Sequence, residues 1–152
     1  MGLTLLDSSA VIAFLDLTDT LRPSANAAVD DALERGDNLA MSVVTWNETL
    51  LGAHLGHLPE VVLREFVVDF GVRLLSVEIQ AAERAAELQY VYRRTRKRAP
   101  WPRLRTPDAL ILATADVRTD IEWVVGGDEQ WPKVPGVDAE IALLTAGELA
   151  GD

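Results

Sequence analysis

The sequence predicts an α/β protein: a three-layer sandwich in which a mostly parallel central sheet is flanked by helices. Short apolar runs typical of buried strands alternate along the chain with amphipathic runs of helical length. The 152 residues are enough for one hydrophobic core, and they contain no internal repeat and no low-complexity stretch. We therefore expect a single domain over residues 1–152.

The candidate elements follow one another in regular order. Strand-like apolar runs lie at residues 3–6, 39–42, 72–77, 121–125 and, more weakly, 141–144. Runs with helical periodicity lie at about residues 8–15, 23–36, 45–57, 59–70, 79–94 and 106–117. Start signals support several of these helices: Ser8 or Ser9 for the first, Pro59 for the fourth, and Thr106 followed by Pro107 for the last. Within the fourth helix, the apolar positions Val61 and Phe66 predict core packing in preference to an exposed docking groove.

The composition excludes several kinds of site. The chain has no cysteine, which rules out disulfides, thiolate metal sites and a thiol nucleophile. His54 and His57 lie three residues apart on a predicted helix, and no further histidine or cysteine completes a zinc set, so a surface role is favoured. No apolar run reaches the roughly 18 residues of a spanning helix, and the N-terminus lacks the basic region of a signal peptide. We expect a cytoplasmic protein.

Positive charge is concentrated in one segment of an acidic chain. The net charge is −10, yet seven of the 14 basic residues lie close together, with no acid between Glu87 and Asp108. The remaining seven basic and 24 acidic residues leave the rest of the chain at −17. An exposed connection at about residues 93–106 with this charge predicts a surface for a polyanion such as RNA, although a solvated loop or an antitoxin contact would use the same side chains. The basic residues are Arg93, Arg94, Arg96, Lys97, Arg98, Arg103 and Arg105.

Four acidic residues stand where predicted strands end or predicted helices begin. Asp7 and Asp128 follow apolar strands, whereas Glu48 and Asp108 lie near the starts of helices. In an open α/β sheet these ends meet at one edge, where ligands bind, so we expect the four carboxylates to converge. Grouped carboxylates repel one another and stay ionised only around cations, and a hard cation with oxygen ligands suits them.

Each of these acids also has a purely structural explanation. Asp7 and Asp108 suit helix N-termini, where the helix dipole favours negative charge. Glu48 fits a capping box that starts at Thr45, and Asp128 after two glycines suits a turn. The sequence leaves these alternatives open for each acid taken alone, while the coincidence of all four at one predicted edge favours a shared site.

The same segments resemble the four motifs of the PIN domain family, and within it the small VapC-type toxin ribonucleases. The resemblance spans nearly the whole chain and rests on residues 5–12, 42–48, 108–115 and 124–128, of which 108–115 (DALILATA) is the most specific. The chain departs from the pattern at Gly126, where many members carry Thr or Ser. Trp131 is the candidate for the packing role of a Phe that is common after the last Asp.

The resemblance implies a ribonuclease that hydrolyses phosphodiester bonds with Mg²⁺ or Mn²⁺. It implies Asp7, Glu48, Asp108 and Asp128 as catalytic metal ligands, with Asp7 and Asp108 the most direct and Asp128 acting through water. It also implies the toxin of a VapBC-type pair, with an antitoxin protein as partner, an RNA substrate, and assembly as a homodimer. A catalytically weak or inactive PIN-like module that binds RNA or protein is the main alternative, and Gly126 keeps it open.

Two other acidic-site families fit the residues poorly. A haloacid-dehalogenase-type phosphatase would need a second Asp two residues after Asp7, where Ser9 stands. The run from Gly126 to Glu129 is similar to a diguanylate cyclase signature, but Gln130 follows instead of Phe.

Overall fold

A five-stranded sheet forms the centre of the molecule in the computed structural model, which describes residues 2–146. Its strands are β1 (Leu3–Leu6), β2 (Asn38–Ser42), β3 (Arg73–Leu75), β4 (Ile121–Gly126) and β5 (Glu140–Leu143). They are ordered β3-β2-β1-β4-β5, and every neighbouring pair is parallel. Residues 1 and 147–152 of the predicted domain lie outside the described range.

Six helices connect the strands. They are α1 (Ser8–Leu15), α2 (Arg22–Glu34), α3 (Val43–His54), α4 (Glu60–Asp69), α5 (Ile79–Arg93) and α6 (Thr106–Val117), with a 3-10 turn at Trp131–Lys133. Within residues 2–146, no helix has both the length and the apolar content needed to cross a membrane. His54 and His57 are both exposed.

Two hydrophobic clusters cover the two faces of the sheet. Because side chains alternate along a strand, Leu5 packs on one face, against Leu112 of α6, while the adjacent Leu6 packs on the other. The second cluster includes Phe66 of α4, whose ring also contacts Phe14 and Phe70, whereas Val61 on the same helix is 61% exposed. Helices on both faces of a parallel sheet confirm the predicted three-layer α/β class.

The strand order brings the acidic segments together. β1 lies between β2 and β4, so the carboxyl ends of these three strands meet at one edge of the sheet. Asp7 directly follows β1, Ser42 ends β2 and leads into α3, and Asp128 stands two residues after Gly126, the last residue of β4. Chain segments distant in sequence therefore end next to one another, as the alternation of strands and helices predicted.

Several predicted helix starts are wrong by a few residues, and the reasons are local. Asp7, rather than Ser8 or Ser9, is the N-cap of α1, since its carboxylate accepts from the backbone N–H of Ala10. The third helix begins at Val43 with Ser42 as its cap, so Thr45 lies inside the helix and no capping box links it to Glu48.

The last long helix and the third strand also differ from prediction. Thr106 is the first helical residue of α6 instead of its cap, and Arg105 at the cap position makes no side-chain capping bond. Only Arg73–Leu75 of the predicted strand 72–77 pairs with β2.

Candidate acidic site at the sheet edge

Asp7 is the most buried of the four acids. It is 4% exposed, and Oδ1 accepts from the N–H of Ala10 at 2.8 Å, while the N–H of Gly127 also donates to the carboxylate. Burial raises the pKa of Asp7 to about 7; the two N–H donors oppose the shift, and the nearby charges of Asp108 and Glu48 add to it. Asp7 is thus both a helix cap and a carboxyl group that holds a proton near neutral pH.

Glu48 faces Asp7 from α3. Because α3 starts at Val43, this residue lies in its second turn, and the hydroxyl of Ser8 lies beside its half-buried carboxylate. Burial raises the pKa of Glu48, while the guanidinium of Arg105 and the Ser8 hydroxyl oppose the shift. Asp7, and not Ser8, caps α1, and the Ser8 hydroxyl acts on the pKa of Glu48.

Asp108 comes from the first turn of α6. Burial raises its pKa to about 6, the charges of Asp128 and Glu48 add to the effect, and Arg105 opposes it. Asp108 also lies where the dipole of α6 favours negative charge, so the structural explanation holds beside the shared site.

Asp128 completes the group from the turn after β4. Its Oδ1 accepts from the backbone N–H of Gln130 at 2.8 Å, which is the turn contact that the sequence offered as its structural explanation. Its charge nevertheless acts on Asp108, so Asp128 belongs to the same electrostatic neighbourhood.

Trp131 explains the glycine at position 126. Its side chain is fully buried, and a Cβ on Gly126 would meet ring atoms Cζ3 and Cε3 of Trp131, as well as Asp7 Oδ2 at 2.9 Å. The tryptophan ring thus occupies the space in which a Thr or Ser side chain at this position would stand. The neighbouring Gly127 is also confined, since a Cβ there would lie 3.2 Å from the Cβ of Ser9.

None of the four acids has an ion-pair partner among the described residues. The ion pairs found within residues 2–146 involve other carboxylates, and Arg105 is the cation whose charge reaches the site. In the same range, no three Asp, Glu or His side chains lie close enough together to hold one metal ion. The donors suit a hard cation in their chemistry, since all are carboxylates, but they are spaced more widely than a closed coordination shell.

The predicted basic residues surround the connection between α5 and α6. All seven are exposed, beginning with Arg93 at the end of α5 and ending with Arg105 just before α6. Buried Leu104 anchors the connection, and Gln89 Nε2 donates to the carbonyl of Leu104 and to Thr106 Oγ1. The segment therefore carries its charges towards solvent while its last residues are held against α5.

Sequence reasoning missed two parts of this arrangement. It did not predict that the charge of Arg105 acts on Glu48 and Asp108, or that Gln130 links Asp128 to Tyr92 at the end of α5. Both join residues from different helices and turns, so they follow from tertiary packing. The position of Arg105 three residues before Asp108 was the available signal.

The parallel strands and the carboxylates at their ends define an α/β protein with a group of acidic residues at one edge of the sheet. The PIN domain family model matches residues 4–137, and the chain belongs to this family. No curated protein sequence matches the chain significantly.

Solved structures share the fold at low sequence identity. VapBC2 from Rickettsia felis, bound to a DNA fragment from its promoter, matches with a TM-score of 0.71 and 10% identity over 94% of this chain and 99% of that one. A toxin–antitoxin complex from Klebsiella pneumoniae matches with a TM-score of 0.61 and 24% identity over 96% and 99%. VapC20 from Mycobacterium tuberculosis, described as a Sarcin-Ricin loop cleaving toxin, matches with a TM-score of 0.53 and 18% identity over 80% and 86%.

Proposed function

We propose that this protein is a ribonuclease that uses Mg²⁺ or Mn²⁺ bound by Asp7, Glu48, Asp108 and Asp128. The observation that carries the proposal is electrostatic: Asp7 and Asp108 both have raised pKa values, at about 7 and about 6, without an ion-pair partner in residues 2–146. Burying carboxylates beside one another costs free energy unless a cation neutralises them. Buried carboxylates with raised pKa values that lie close together are therefore candidates for a functional site.

The proposed role of each of the four acids follows from its surroundings. Asp7 and Asp108, the two with the most perturbed pKa values, are the proposed direct ligands, and each gives up its proton when a cation binds. Glu48, beside the Ser8 hydroxyl, is the next ligand, and Asp128 acts through water. A bound divalent ion would supply an activated water and neutralise charge on the scissile phosphate.

The wide spacing of the carboxylates is compatible with this role. Glu48, Asp108 and Asp128 are each only half-buried, so their side chains have room to turn towards a shared ion. Asp7 is held by two N–H groups and provides the fixed point. In the free protein the repulsion between like charges favours the separated arrangement.

The basic segment is the proposed contact for the RNA backbone. Its seven exposed cations are arranged along the connection that leads into Asp108, and counterion release from phosphates would supply most of the affinity. Arg105 lies nearest the acids and is placed to hold the phosphate at the site. The whole set is Arg93, Arg94, Arg96, Lys97, Arg98, Arg103 and Arg105.

We further propose that the protein is the toxin of a VapBC-type pair, with an antitoxin protein as partner and a homodimer as its assembly. The support is the likeness in fold to VapBC2 and to a toxin–antitoxin complex. Acidic residues open to solvent would give a basic antitoxin side chain a place to bind and to compete with the metal.

The test is cleavage of single-stranded and structured RNA with Mg²⁺, with Mn²⁺ and with a chelator. We expect cleavage by the wild type only with metal, and none by Asp7→Asn, which preserves size and the ability to cap α1. Asp16→Asn is the matched control, because this partly exposed acid lies at the other end of α1. Equal cleavage by the wild type and Asp7→Asn would exclude the acidic site as the catalyst.

The alternative is a PIN-like module that binds RNA or protein without cleaving it. The absence of a closed group of ligands within residues 2–146 and the glycine at position 126 favour it. Metal-independent RNA binding together with no cleavage under any of these conditions would select this function.

A further inference from the structure

A hollow beside the acidic edge has the chemistry of a nucleotide site. It lies between the end of α5, the connecting segment at residues 100–103 and the 3-10 turn at Trp131–Lys133, and has a volume of about 450 Å³. That volume lies within the range of small-ligand sites, about 300–1,000 Å³. We call it the Trp101 hollow; its lining includes Tyr92, Arg96, Trp101, Arg103, Gln130 and Lys133.

Trp101 offers a flat aromatic surface to this hollow. The residue is 43% exposed, and within residues 2–146 neither a cation nor another ring stacks on it. Tyr90, the other exposed aromatic of the segment, already has a cation on one side of its ring, because the guanidinium of Arg94 lies 5.4 Å from the ring and donates to the Tyr90 hydroxyl at 2.7 Å. Trp101 is therefore the ring available for stacking on a base.

The polar groups of the hollow suit the rest of a nucleotide. Arg96, Arg103 and Lys133 line it without any acidic residue, which favours an anionic ligand such as a phosphate. The hydroxyl of Tyr92 donates to Gln130 Oε1 at 3.0 Å, which orients the amide and leaves Nε2 as a donor for a base edge.

The hollow is connected directly to the acidic site. Gln130 lines it with its side chain, while the backbone N–H of the same residue donates to Asp128 Oδ1 at 2.8 Å. Asp128 in turn acts electrostatically on Asp108. A strand whose phosphate lies at the acids would thus have a neighbouring nucleotide within reach of Trp101.

We propose that the Trp101 hollow binds an unpaired base of the RNA next to the cleaved bond. A base in a duplex is stacked on its neighbours and presents no free face, so only an unpaired base can stack on Trp101. An acidic peptide would use the cations but not the ring and the amide. This inference rests on the proposed ribonuclease function, but it concerns binding and is tested without cleavage.

The test measures the affinity of Asp7→Asn protein for a labelled single-stranded RNA in a chelator, and for the same strand annealed to its complement. We expect Trp101→Ala to weaken single-strand binding by roughly 5- to 150-fold, the effect of losing one stacked base, and to change duplex binding little. Trp101→Phe, which keeps a ring, should restore most of the affinity. Trp123→Ala is the matched control, because that tryptophan lies on β4 under the guanidinium of Arg35, outside the hollow.

Three results would overturn the inference. Unchanged single-strand affinity in Trp101→Ala, at an unchanged melting temperature, would remove the ring from the RNA path. An equal loss of affinity for the single strand and for the duplex would mean that Trp101 does not stack on an unpaired base. If Trp101→Ala weakens the binding of polyglutamate but leaves the binding of RNA unchanged, the hollow is a contact for an acidic protein. Wild-type cleavage is measured in a separate assay. A failure of base binding therefore leaves the ribonuclease proposal standing, and the two failures are distinguished by which assay gives the negative result.

Discussion

Replacing Asp7 by Asn should make the stability of the metal-free protein much less dependent on pH. The folded state raises the pKa of Asp7 to about 7 from the ordinary 3.8, mainly because the carboxyl group is buried. Folded protein therefore keeps this proton over a pH range in which unfolded protein has lost it. The contribution to stability is greatest at low pH and is lost as pH rises from about 4 to about 7.

The magnitude follows from the two pKa values. The difference between 3.8 and about 7 corresponds to about 4 kcal/mol over the whole titration, and to about 3 kcal/mol between pH 5 and pH 8. For a domain of this size, that change equals roughly 6–12 °C in melting temperature. These are upper values, because a charged buried group also draws in water and local rearrangement.

The Asp7→Asn variant removes the titrating carboxyl group and keeps most of its hydrogen bonding. Asn can still accept from the N–H of Ala10 and cap α1, although its amide cannot also accept from Gly127. The lost hydrogen bond costs about 1 kcal/mol at every pH, so it shifts the curve without changing its slope. The pH-dependent difference between the two proteins isolates the carboxyl group.

The assay is urea unfolding of both proteins in a chelator at pH 5 and pH 8. We expect the free energy of unfolding of the wild type to fall relative to Asp7→Asn as pH rises. Asp16→Asn should show no such relative gain at pH 8, because hydrogen bonds from Thr18 lower the pKa of that acid. Parallel pH curves for the wild type and Asp7→Asn would refute the reasoning that Asp7 is buried without a neutralising partner.

Three further changes test the site and its surroundings. Gly126→Ser should destabilise the fold by about 1–3 kcal/mol in urea, because its Cβ would overlap the ring of Trp131; an unaltered midpoint would show that the ring moves aside freely. Asp108→Asn should raise the melting temperature in a chelator at pH 8 and reduce the further rise with Mg²⁺ or Mn²⁺; a lower melting temperature would assign Asp108 a structural role. Changing Arg96, Lys97 and Arg98 together to Gln should reduce the slope of log affinity for single-stranded RNA against log salt by about 2; an unaltered slope would take these side chains out of the RNA path.

The departure from the family pattern at position 126 is compensated by packing. A hydroxyl at this position would stand beside Asp7 Oδ2, where the buried ring of Trp131 now lies. The ring excludes water from this side of Asp7, and burial is the largest cause of its raised pKa. The glycine and the tryptophan are thus a matched pair, and changing either alone would alter the acid they surround.

Much of the fold was predictable because it depends on local patterns. Short apolar runs separated by amphipathic runs predict a parallel sheet with helices on both faces, and the helix bounds agree to within a few residues. Two of the errors occur at helix starts where neighbouring polar residues could each cap the helix. Asp7 caps α1 where Ser8 or Ser9 was expected, and Ser42 caps α3 where Thr45 was expected.

The sequence by itself determined which residues stand at strand ends and helix starts, because periodicity and capping act over a few residues. Only the tertiary structure decided that β1 lies between β2 and β4, which brings Asp7, Glu48 and Asp108 within range of each other's charge. It also decided that Trp131 lies over Gly126, and that Gln130 joins the acidic edge to the hollow at Trp101. These contacts join segments far apart in the chain, so they depend on how whole helices and strands pack and leave no periodic signal in the residues themselves.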